Sequence, residues 1–422
     1  MELQYPKYRW FTFAVCFALA VTNGMIMIGP SPIIQSIQES IGLSLGQTSA
    51  VVILTYTLGG AVGGFVGGYT IDRFGLAFTY VMTAILMIVG LIMAFAAGNV
   101  IPVLLLGRLI GGIGGGIPNA TGPKLVALWF PGKERAVTIG FIGGALSLGI
   151  TIGLMVSPQI LVRSGNWHQA ITYVGLLVIP SIILAFIMQR GPKPPVSDHM
   201  GAAESLAYST GLFKQALKAP AFYAGILTIW FFSWILNTYN DLTPGNIAVD
   251  VPAGLGYGPV VAGQLMGIYS LFMLIGAFAS GFILHNLFKE NARLFTIISF
   301  ILIAIFCGSV LIPAVNQNIP VMMLFLGIAG FFAGCPVPLT QAFISFSYPK
   351  EIQGRVGGIS MGLGFTGGAV GLAVSSAMLH TTGNYTLSII SCVIAAVAGA
   401  LIALLLKKPA VFSEKQEQVR EE

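Results

Sequence analysis

Apolar stretches of about 20 residues recur along the whole chain, separated by short polar or Gly/Pro-rich breaks. A stretch of that length lets a helix cross the hydrocarbon core of a bilayer. The alternation of apolar and polar residues that marks a transmembrane β-barrel is absent from the sequence. The pattern predicts twelve transmembrane helices, at residues 10–36, 46–70, 76–97, 102–123, 137–161, 168–188, 221–240, 261–285, 293–313, 320–346, 355–379 and 385–406.

The composition supports an all-α membrane protein. Hydrophobic residues make up 56% of the 422 and charged residues 8%, whereas a soluble domain carries about 25% charged residues. A soluble fold cannot hide that much apolar side chain, because its surface is too large for its volume. The four cysteines stand in apolar stretches without C-x-x-C spacing. We therefore expect neither a disulfide framework nor a metal site.

The positions of the basic residues predict the orientation of the protein in the membrane. With the N-terminus in the cytoplasm, all but two of the 20 Lys and Arg residues fall on the cytoplasmic side. The exceptions are Arg163, outside, and Arg108, within span four. We predict a multi-pass protein with both termini cytoplasmic, and the short loops and compact tail fit a prokaryotic inner membrane. The net charge of +6 is explained by anchoring to anionic lipid, without any nucleic acid.

The chain divides near its middle. A polar, proline-containing stretch at 189–219 predicts a cytoplasmic linker between six-helix halves at 1–188 and 220–406, followed by a cytoplasmic tail at 407–422. Landmarks recur in order in the two halves: Gly63 with Gly276, Gly68 with Gly281, Gly116 with Gly334, Pro118 with Pro336 and Pro131 with Pro349. Such internal repeats are typical of transporters, whose substrate site lies near the midplane where the repeats meet.

Three segments resemble a known family. Gly67–Gly75 reads Gly-Gly-Tyr-Thr-Ile-Asp-Arg-Phe-Gly and resembles the G-x-x-x-D-R-x-G motif of the major facilitator superfamily, in the family's position between spans two and three. Gly107–Gly114 is similar to the family's R-x-x-x-G-x-x-G signature in span four, and 129–135 is similar to the loop between spans four and five in small-solute branches. The resemblance covers nearly the whole chain and implies secondary transport on a fold of two six-helix halves.

The resemblance also implies a cytoplasmic gate. Asp72 can face the positive end of a neighbouring helix, or pair with Arg73 or Arg135, and Gly68 permits close backbone approach. The alternative is a solvated charge pair of little energetic weight. In the second half His285 and Asn286 replace Asp72 and Arg73, so the predicted gate is asymmetric.

Charge inside the membrane is scarce. None of the 14 acidic residues falls at the middle of a predicted span, and Asp241 and His380 are placed near outer ends. This weakens the case for proton coupling, which usually needs a buried carboxylate or histidine. Arg108 shares a helical face with Gly112, Gly115 and Asn119. Arg108 either holds an anion or is a structural arginine bonded to the carbonyls of a broken helix.

Further candidates for substrate contact come from other spans. Trp230, Trp234, Asn237 and Asp241 follow helical spacing in span seven, and predict either an aromatic wall of the transport cavity or a belt facing lipid. Polar residues at membrane depth form interhelical hydrogen bonds or contact substrate. They are Asn23 in span one, Tyr56 in span two, Gln264 and Tyr269 in span eight, and Gln341 in span ten.

These features predict a secondary transporter that moves a small organic anion, such as a monocarboxylate, by alternating access. Within the family, nitrate/nitrite porters carry an arginine in each of spans two and eight, and oxalate-type and monocarboxylate carriers carry one in span eight. This chain has none in either span, which counts against inorganic oxyanions and dicarboxylates. Alternatives are an exporter of drugs or hydrophobic cations, a carrier of neutral or zwitterionic solutes, and a non-transporting receptor or scaffold. We expect a monomer with no enzymatic activity, no cofactor and no P-loop.

Overall fold

The computed structural model describes residues 6–130, 132–192 and 211–409, and within these ranges the chain is helical without a strand. Twelve helical stretches are long and apolar enough to cross a membrane, as predicted. We call them spans one to twelve: Arg9–Ile41, Leu45–Ile71, Arg73–Ala96, Ile101–Pro118, Gly144–Ser164, Trp167–Gln189, Pro220–Ala248, Gly258–Asn286, Ala292–Leu311, Ile319–Ser347, Val356–Thr382 and Thr386–Ala403.

Several helices extend beyond a span or stop within one. The α-helices are Arg9–Ile28, Ile34–Ile41, Leu45–Ser49, Thr55–Ala96, Ile101–Trp129, Gly132–Ser164, Trp167–Val174, Val178–Gln189, Pro220–Ala248, Gly258–Asn286, Ala292–Gly308, Pro313–Asn316, Ile319–Ala333, Pro336–Ser347, Lys350–Thr382 and Thr386–Ala403.

Span one is interrupted two thirds of the way along. Its first helix ends at Ile28, a 3-10 turn occupies Ser31–Ile33, and a second helix runs over Ile34–Ile41. Pro30 and Pro32 lie at the interruption, and neither has the N–H that a continuing helix would use. The last carbonyls of the first helix therefore need partners from elsewhere in the molecule.

From Thr55 onward, spans two and three form one α-helical segment, Thr55–Ala96, which is broken at a single residue. Gly75 has φ 80° and ψ 175°, a conformation that glycine adopts without the steric cost of a side chain. Gly75 is the last residue of the G-x-x-x-D-R-x-G stretch. The loop expected between the two spans is therefore absent, and this break in the helix takes its place. At the other end of span two, Ala50–Leu54 is a π-helical turn.

Glycine contacts recur in the two halves of the chain. A Cβ on Gly63 would collide with the carbonyl of Ile113 in span four, and one on Gly276 would collide with the carbonyl of Phe331 in span ten. Gly116 and Gly334 make the reciprocal contacts, with the backbones of Gly60 in span two and Met273 in span eight. Two of the three glycine pairs from the sequence thus occupy equivalent close contacts between helices, whereas a Cβ on Gly68 or Gly281 would meet no described atom within 4 Å.

The helices group into two compact units. The first unit joins spans one to six to Asn240–Leu271 and Ser376–Tyr385, and its apolar core includes Tyr80 and Phe130. The second unit contains span seven up to Tyr239, Phe272–Ser375 and span twelve, and its core includes Phe295 and Phe343. All four cysteines are buried and free, and the described residues contain no cluster able to hold a metal ion.

Candidate functional site

Arg108 is the centre of a polar cluster inside the first unit. Its side chain is 3% exposed. Its Nε donates to the carbonyl of Val52 at 2.5 Å, Nη1 donates to Ile26 at 3.0 Å, and Nη2 donates to Met27 at 3.2 Å. Because a guanidinium has five N–H groups, these bonds leave one N–H on each Nη.

The three acceptors explain why a cation is stable at this depth. Ile26 and Met27 belong to the last turn of the helix that ends at Ile28, where carbonyls have no intrahelical partner. The partial negative charge of a helix C-terminus also favours a cation. Val52 lies in the π-helical turn of span two. Arg108 therefore caps the interruption of span one, the role that the structural alternative predicts for it.

Tyr56 and Asn23 complete the cluster. The guanidinium carbon lies 4.4 Å from the centroid of the Tyr56 ring, within the range of a cation–π interaction. The Tyr56 hydroxyl donates to Asn23 Oδ1 at 2.9 Å. A Cβ on Gly115 would collide with both the hydroxyl and the amide. The structure thus brings together three predicted candidates, Arg108, Tyr56 and Asn23. The side chain of Asn119, which was predicted to share the helical face of Arg108, lies outside the described residues.

The position of Asp241 requires a correction, because the sequence placed it just beyond a span seven that was predicted to end at residue 240. The helix instead continues through Pro244 to Ala248, and Asp241 is 1% exposed. Its backbone carbonyl accepts a hydrogen bond from the Ser31 hydroxyl. Its carboxylate interacts electrostatically with Arg108. Among the described residues, neither carboxylate oxygen has a hydrogen-bond partner.

The predicted end of span seven at residue 240 was therefore too early, and Asp241 lies inside the helix, seven residues before its end at Ala248. The sequence signal misled because Asn240, Asp241, Thr243, Pro244 and Gly245 are residues that usually end a helix. The helix persists because these residues are buried by the rest of the first unit; for example, a Cβ on Gly245 would collide with the Tyr385 hydroxyl. Tertiary packing outweighs the local preference here.

The other members of the span-seven stripe belong to the second unit. Trp230 and Trp234 are half-buried, with ring centroids 5.4 Å apart. The Trp234 indole Nε1 donates to Ser391 Oγ at 3.4 Å, and Asn237 Nδ2 donates to the carbonyl of Ser233 at 3.0 Å. The stripe lies against the glycine face of span eleven, where a Cβ on Gly367, Gly368 or Gly371 would collide with Trp230, Asn237 or Trp234 respectively.

Three further candidates have different environments. Tyr269 is fully buried in the first unit, whereas Gln264, five residues earlier in span eight, has an exposed side chain. Gln341 is exposed in the second unit, and a Cβ on Gly357 would come within 3.2 Å of its Oε1. The substrate-binding roles of these residues remain predictions.

The predicted gate is only partly described. Arg73 Nη1 donates to the Tyr69 hydroxyl at 2.5 Å, and the guanidinium carbon lies 5.5 Å from the Phe74 ring. A Cβ on Gly68 would meet no atom of the described residues within 4 Å. The side chains of Asp72 and Arg135 lie outside the described residues. The gating roles of all four residues therefore remain predictions.

An ion pair that the sequence analysis did not identify lies at this end of the first unit. Arg9 Nη2 donates to Glu134 Oε1 at 3.0 Å, and the guanidinium carbon is 5.8 Å from the Phe130 ring. Glu134 stands in the motif at 129–135, next to the predicted partner Arg135. The sequence therefore contained the acidic partner, but 125 positions separate it from Arg9.

Comparisons with known proteins agree with this architecture. The sequence model of the Major Facilitator Superfamily matches residues 14–314 and 291–422. The crystal structure of a D-xylose-proton symporter superimposes with a TM-score of 0.75 at 17% identity, covering 94% of this chain and 97% of the symporter. At that level of identity the likeness concerns the fold.

Two relatives are similar in sequence. The hexuronate transporter of Bacillus subtilis (strain 168) is 24% identical over 366 residues, which is 83% of each chain. The probable anion transporter 6, chloroplastic, of Arabidopsis thaliana is 26% identical over 306 residues, or 68% of this chain and 57% of that protein. This chain thus matches less than two thirds of the Arabidopsis protein's length. The family match spans nearly all of the sequence, so the chain belongs to the Major Facilitator Superfamily and is a multi-pass membrane transporter, not an enzyme.

Proposed function

We propose that this protein is a secondary transporter that moves a small organic anion, of monocarboxylate type, across the membrane by alternating access. The moving parts are the six-helix halves at 1–188 and 220–406, joined by the linker at 189–219. In the proposed topology both termini are cytoplasmic and the membrane is a prokaryotic inner membrane. The transporter acts as a monomer.

The observation that carries this proposal is the buried guanidinium of Arg108. It is the only basic side chain among the buried residues of the described ranges, and a cation at membrane depth is costly unless a partner or substrate offsets its charge. Two N–H groups, one on each Nη, remain after the three bonds to carbonyls. These N–H groups are the donors that a substrate carboxylate would use.

One cation sets the expected charge of the substrate. A dicarboxylate or an inorganic oxyanion of higher charge would leave negative charge uncompensated in a medium of low dielectric constant. The names of two relatives, a hexuronate transporter and a probable anion transporter, favour the same class of substrate. A hexuronate is a sugar with one carboxylate, and its hydroxyls could bond to amide and phenol groups such as those of Asn23 and Tyr56.

A second candidate is a neutral polar solute. Asp241 interacts electrostatically with Arg108, so an ionised Asp241 would offset the charge of the guanidinium and the cluster as a whole need not attract an anion. An exporter of hydrophobic cations has less support, because Trp230 and Trp234 lie against the glycine face of span eleven. That contact reduces the ring surface available to a planar ligand.

The test uses two solutes that differ in one group. The full chain is reconstituted in liposomes loaded with unlabelled glucuronate or glucose, and entry of the same labelled solute is followed as counterflow. We expect counterflow of glucuronate, and of smaller monocarboxylates, with none for glucose. Equal rates for glucose would favour the neutral-solute transporter. Counterflow of a quaternary amine without glucuronate would favour the exporter, and either result overturns the proposal.

A further inference from the structure

The strongest unexplained feature of the first unit is the carboxylate of Asp241. The residue is 1% exposed, inside a helix long enough to cross the membrane. The hydrogen bond from Ser31 reaches its backbone carbonyl and leaves the side chain unsatisfied. Both carboxylate oxygens lack a hydrogen-bond partner among the described residues. Buried polar groups in proteins are nearly always hydrogen-bonded, so this exception requires an explanation.

The groups around Asp241 define its electrostatic environment. Arg108 of span four is the charged group that interacts with it, and Tyr56 of span two stacks on that guanidinium. Ser31 of span one and Tyr385, which contacts Gly245 one helical turn away, are neutral neighbours. An ionised carboxylate in such a place depends on its single cation, whereas a protonated carboxyl does not.

Arg108 and Asp241 are not hydrogen-bonded to each other, although they interact through space. Arg108 keeps its place through three carbonyls, so its position does not depend on the charge of Asp241. The remaining Nη hydrogens are free of those carbonyl bonds. A carboxylate of the substrate and the carboxylate of Asp241 would therefore compete for the same positive charge.

From this competition we infer that Asp241 binds the proton that accompanies the substrate, an inference that rests on the proposed function. When Asp241 is ionised, its carboxylate balances Arg108 in the absence of substrate. When Asp241 takes up a proton, its carboxylate becomes a neutral carboxyl, and the charge of Arg108 is balanced by the carboxylate of the entering anion. One proton and one monovalent anion then cross together, and no net charge moves.

The contacts at the end of the first unit that holds Asp241 indicate how protons reach it. Ser44 Oγ and His380 Nδ1 are 2.8 Å apart. Gln35 Nε2 donates to Glu39 Oε1 at 3.0 Å and to Asp250 Oδ2 at 3.1 Å. These contacts hold the ends of spans seven and eleven to spans one and two. Their separation would open Asp241 to water on the side that the predicted topology places outside.

The experiment compares two driving forces in proteoliposomes. In the wild type, a pH gradient should accumulate glucuronate by about tenfold for about one pH unit, because one proton enters with each anion. A membrane potential set with potassium and valinomycin should have no effect. In Asp241→Asn the responses should exchange: accumulation no longer follows the pH gradient, and the membrane potential drives anion movement.

Glu290→Gln is the control. Glu290 is an exposed carboxylate after span eight, outside both the Arg108 cluster and the contacts that cover Asp241. This variant should keep the wild-type responses to both gradients. Normal pH-driven accumulation in Asp241→Asn would overturn the inference and leave the proposed function intact. A wild-type response to membrane potential alone would also overturn the inference. That readout holds even if the Asp241→Asn variant does not fold. Absence of glucuronate counterflow in the wild type would instead overturn the proposed function, and the coupling with it.

Discussion

Two stretches of span seven carry polar and aromatic residues at helical spacing, yet their environments differ. Trp230, Trp234 and Asn237 lie half-buried in the second unit. Trp234 donates a hydrogen bond to Ser391, and Asn237 donates one to the carbonyl of Ser233. Asp241, four residues further on, is fully buried in the first unit, and its carboxylate oxygens have no hydrogen-bond partner among the described residues. One helix thus contains a satisfied packing surface followed by an unsatisfied ionisable group.

The difference shows that spacing alone does not identify a functional residue. All four residues share one helical face, and the sequence treats them as one stripe. A polar group with its partners in place contributes to stability, whereas a buried carboxylate without them lowers stability and marks a candidate functional residue. The following variants test whether the two stretches differ as the contacts indicate.

The largest effect is expected for Arg108→Gln. The amide of glutamine has two N–H groups, so at least one of the carbonyls of Ile26, Met27 and Val52 loses its donor, and Asp241 loses its cation. We expect a loss of about 3–5 kcal/mol in stability, as when a buried charged interaction is broken. The measurement is the melting temperature of the purified protein in detergent.

Arg163→Gln controls for the removal of a positive charge. Arg163 is exposed in the last turn of the helix Gly132–Ser164, and its replacement should change stability by less than about 0.5 kcal/mol. If Arg108→Gln melts at the temperature of Arg163→Gln, Arg108 does not cap the interruption of span one.

Gly367→Ala should produce the next largest effect, in the second unit. The new Cβ would collide with the backbone carbonyl of Trp230, forcing spans seven and eleven apart at a cost of about 1–3 kcal/mol. The melting temperature and the tryptophan emission spectrum are the readouts. Gly362→Ala in the same helix is the control, since a Cβ there would meet no described atom within 4 Å. Equal behaviour of the two variants would show that the tryptophans are not packed on this glycine face.

A smaller effect should appear when Asp241→Asn is added to Arg108→Gln. Without its cation the buried carboxylate is destabilising, so the double variant should be more stable than Arg108→Gln by about 1 kcal/mol. The wild type, the two single variants and the double variant are melted at neutral pH. The four melting temperatures together give the coupling free energy between Arg108 and Asp241. Strict additivity would mean that the charges of Arg108 and Asp241 do not interact.

The smallest effect is expected for Trp234→Phe. The variant loses the indole N–H that donates to Ser391 Oγ at 3.4 Å, a long bond worth less than about 1 kcal/mol. Most of the ring contact with Gly371 remains. Glucuronate counterflow should stay close to the wild-type rate. A large loss of transport in a stable Trp234→Phe protein would place this indole in contact with substrate.

Much of the fold could be predicted because the bilayer constrains it. Twelve apolar stretches predicted twelve spans, and both glycine pairs described above, Gly63 with Gly276 and Gly116 with Gly334, occupy equivalent contacts between helices. The candidate site was predicted less completely. Arg108, Tyr56 and Asn23 were each identified as polar residues at membrane depth, but their mutual contacts depend on spans that are distant in sequence.

The sequence by itself determined the number of spans and the family, because hydrocarbon thickness and backbone hydrogen bonding leave a long apolar helix as the stable solution for each stretch. Only the tertiary structure decided the state of Arg108 and Asp241. The three carbonyls that hold Arg108 come from the interruption of span one and the π-helical turn of span two. The burial of Asp241 results from a helix that continues through Pro244 because neighbouring spans enclose it. Partners of this kind are set by packing between residues 56 to 210 positions apart, which no local pattern of residues encodes.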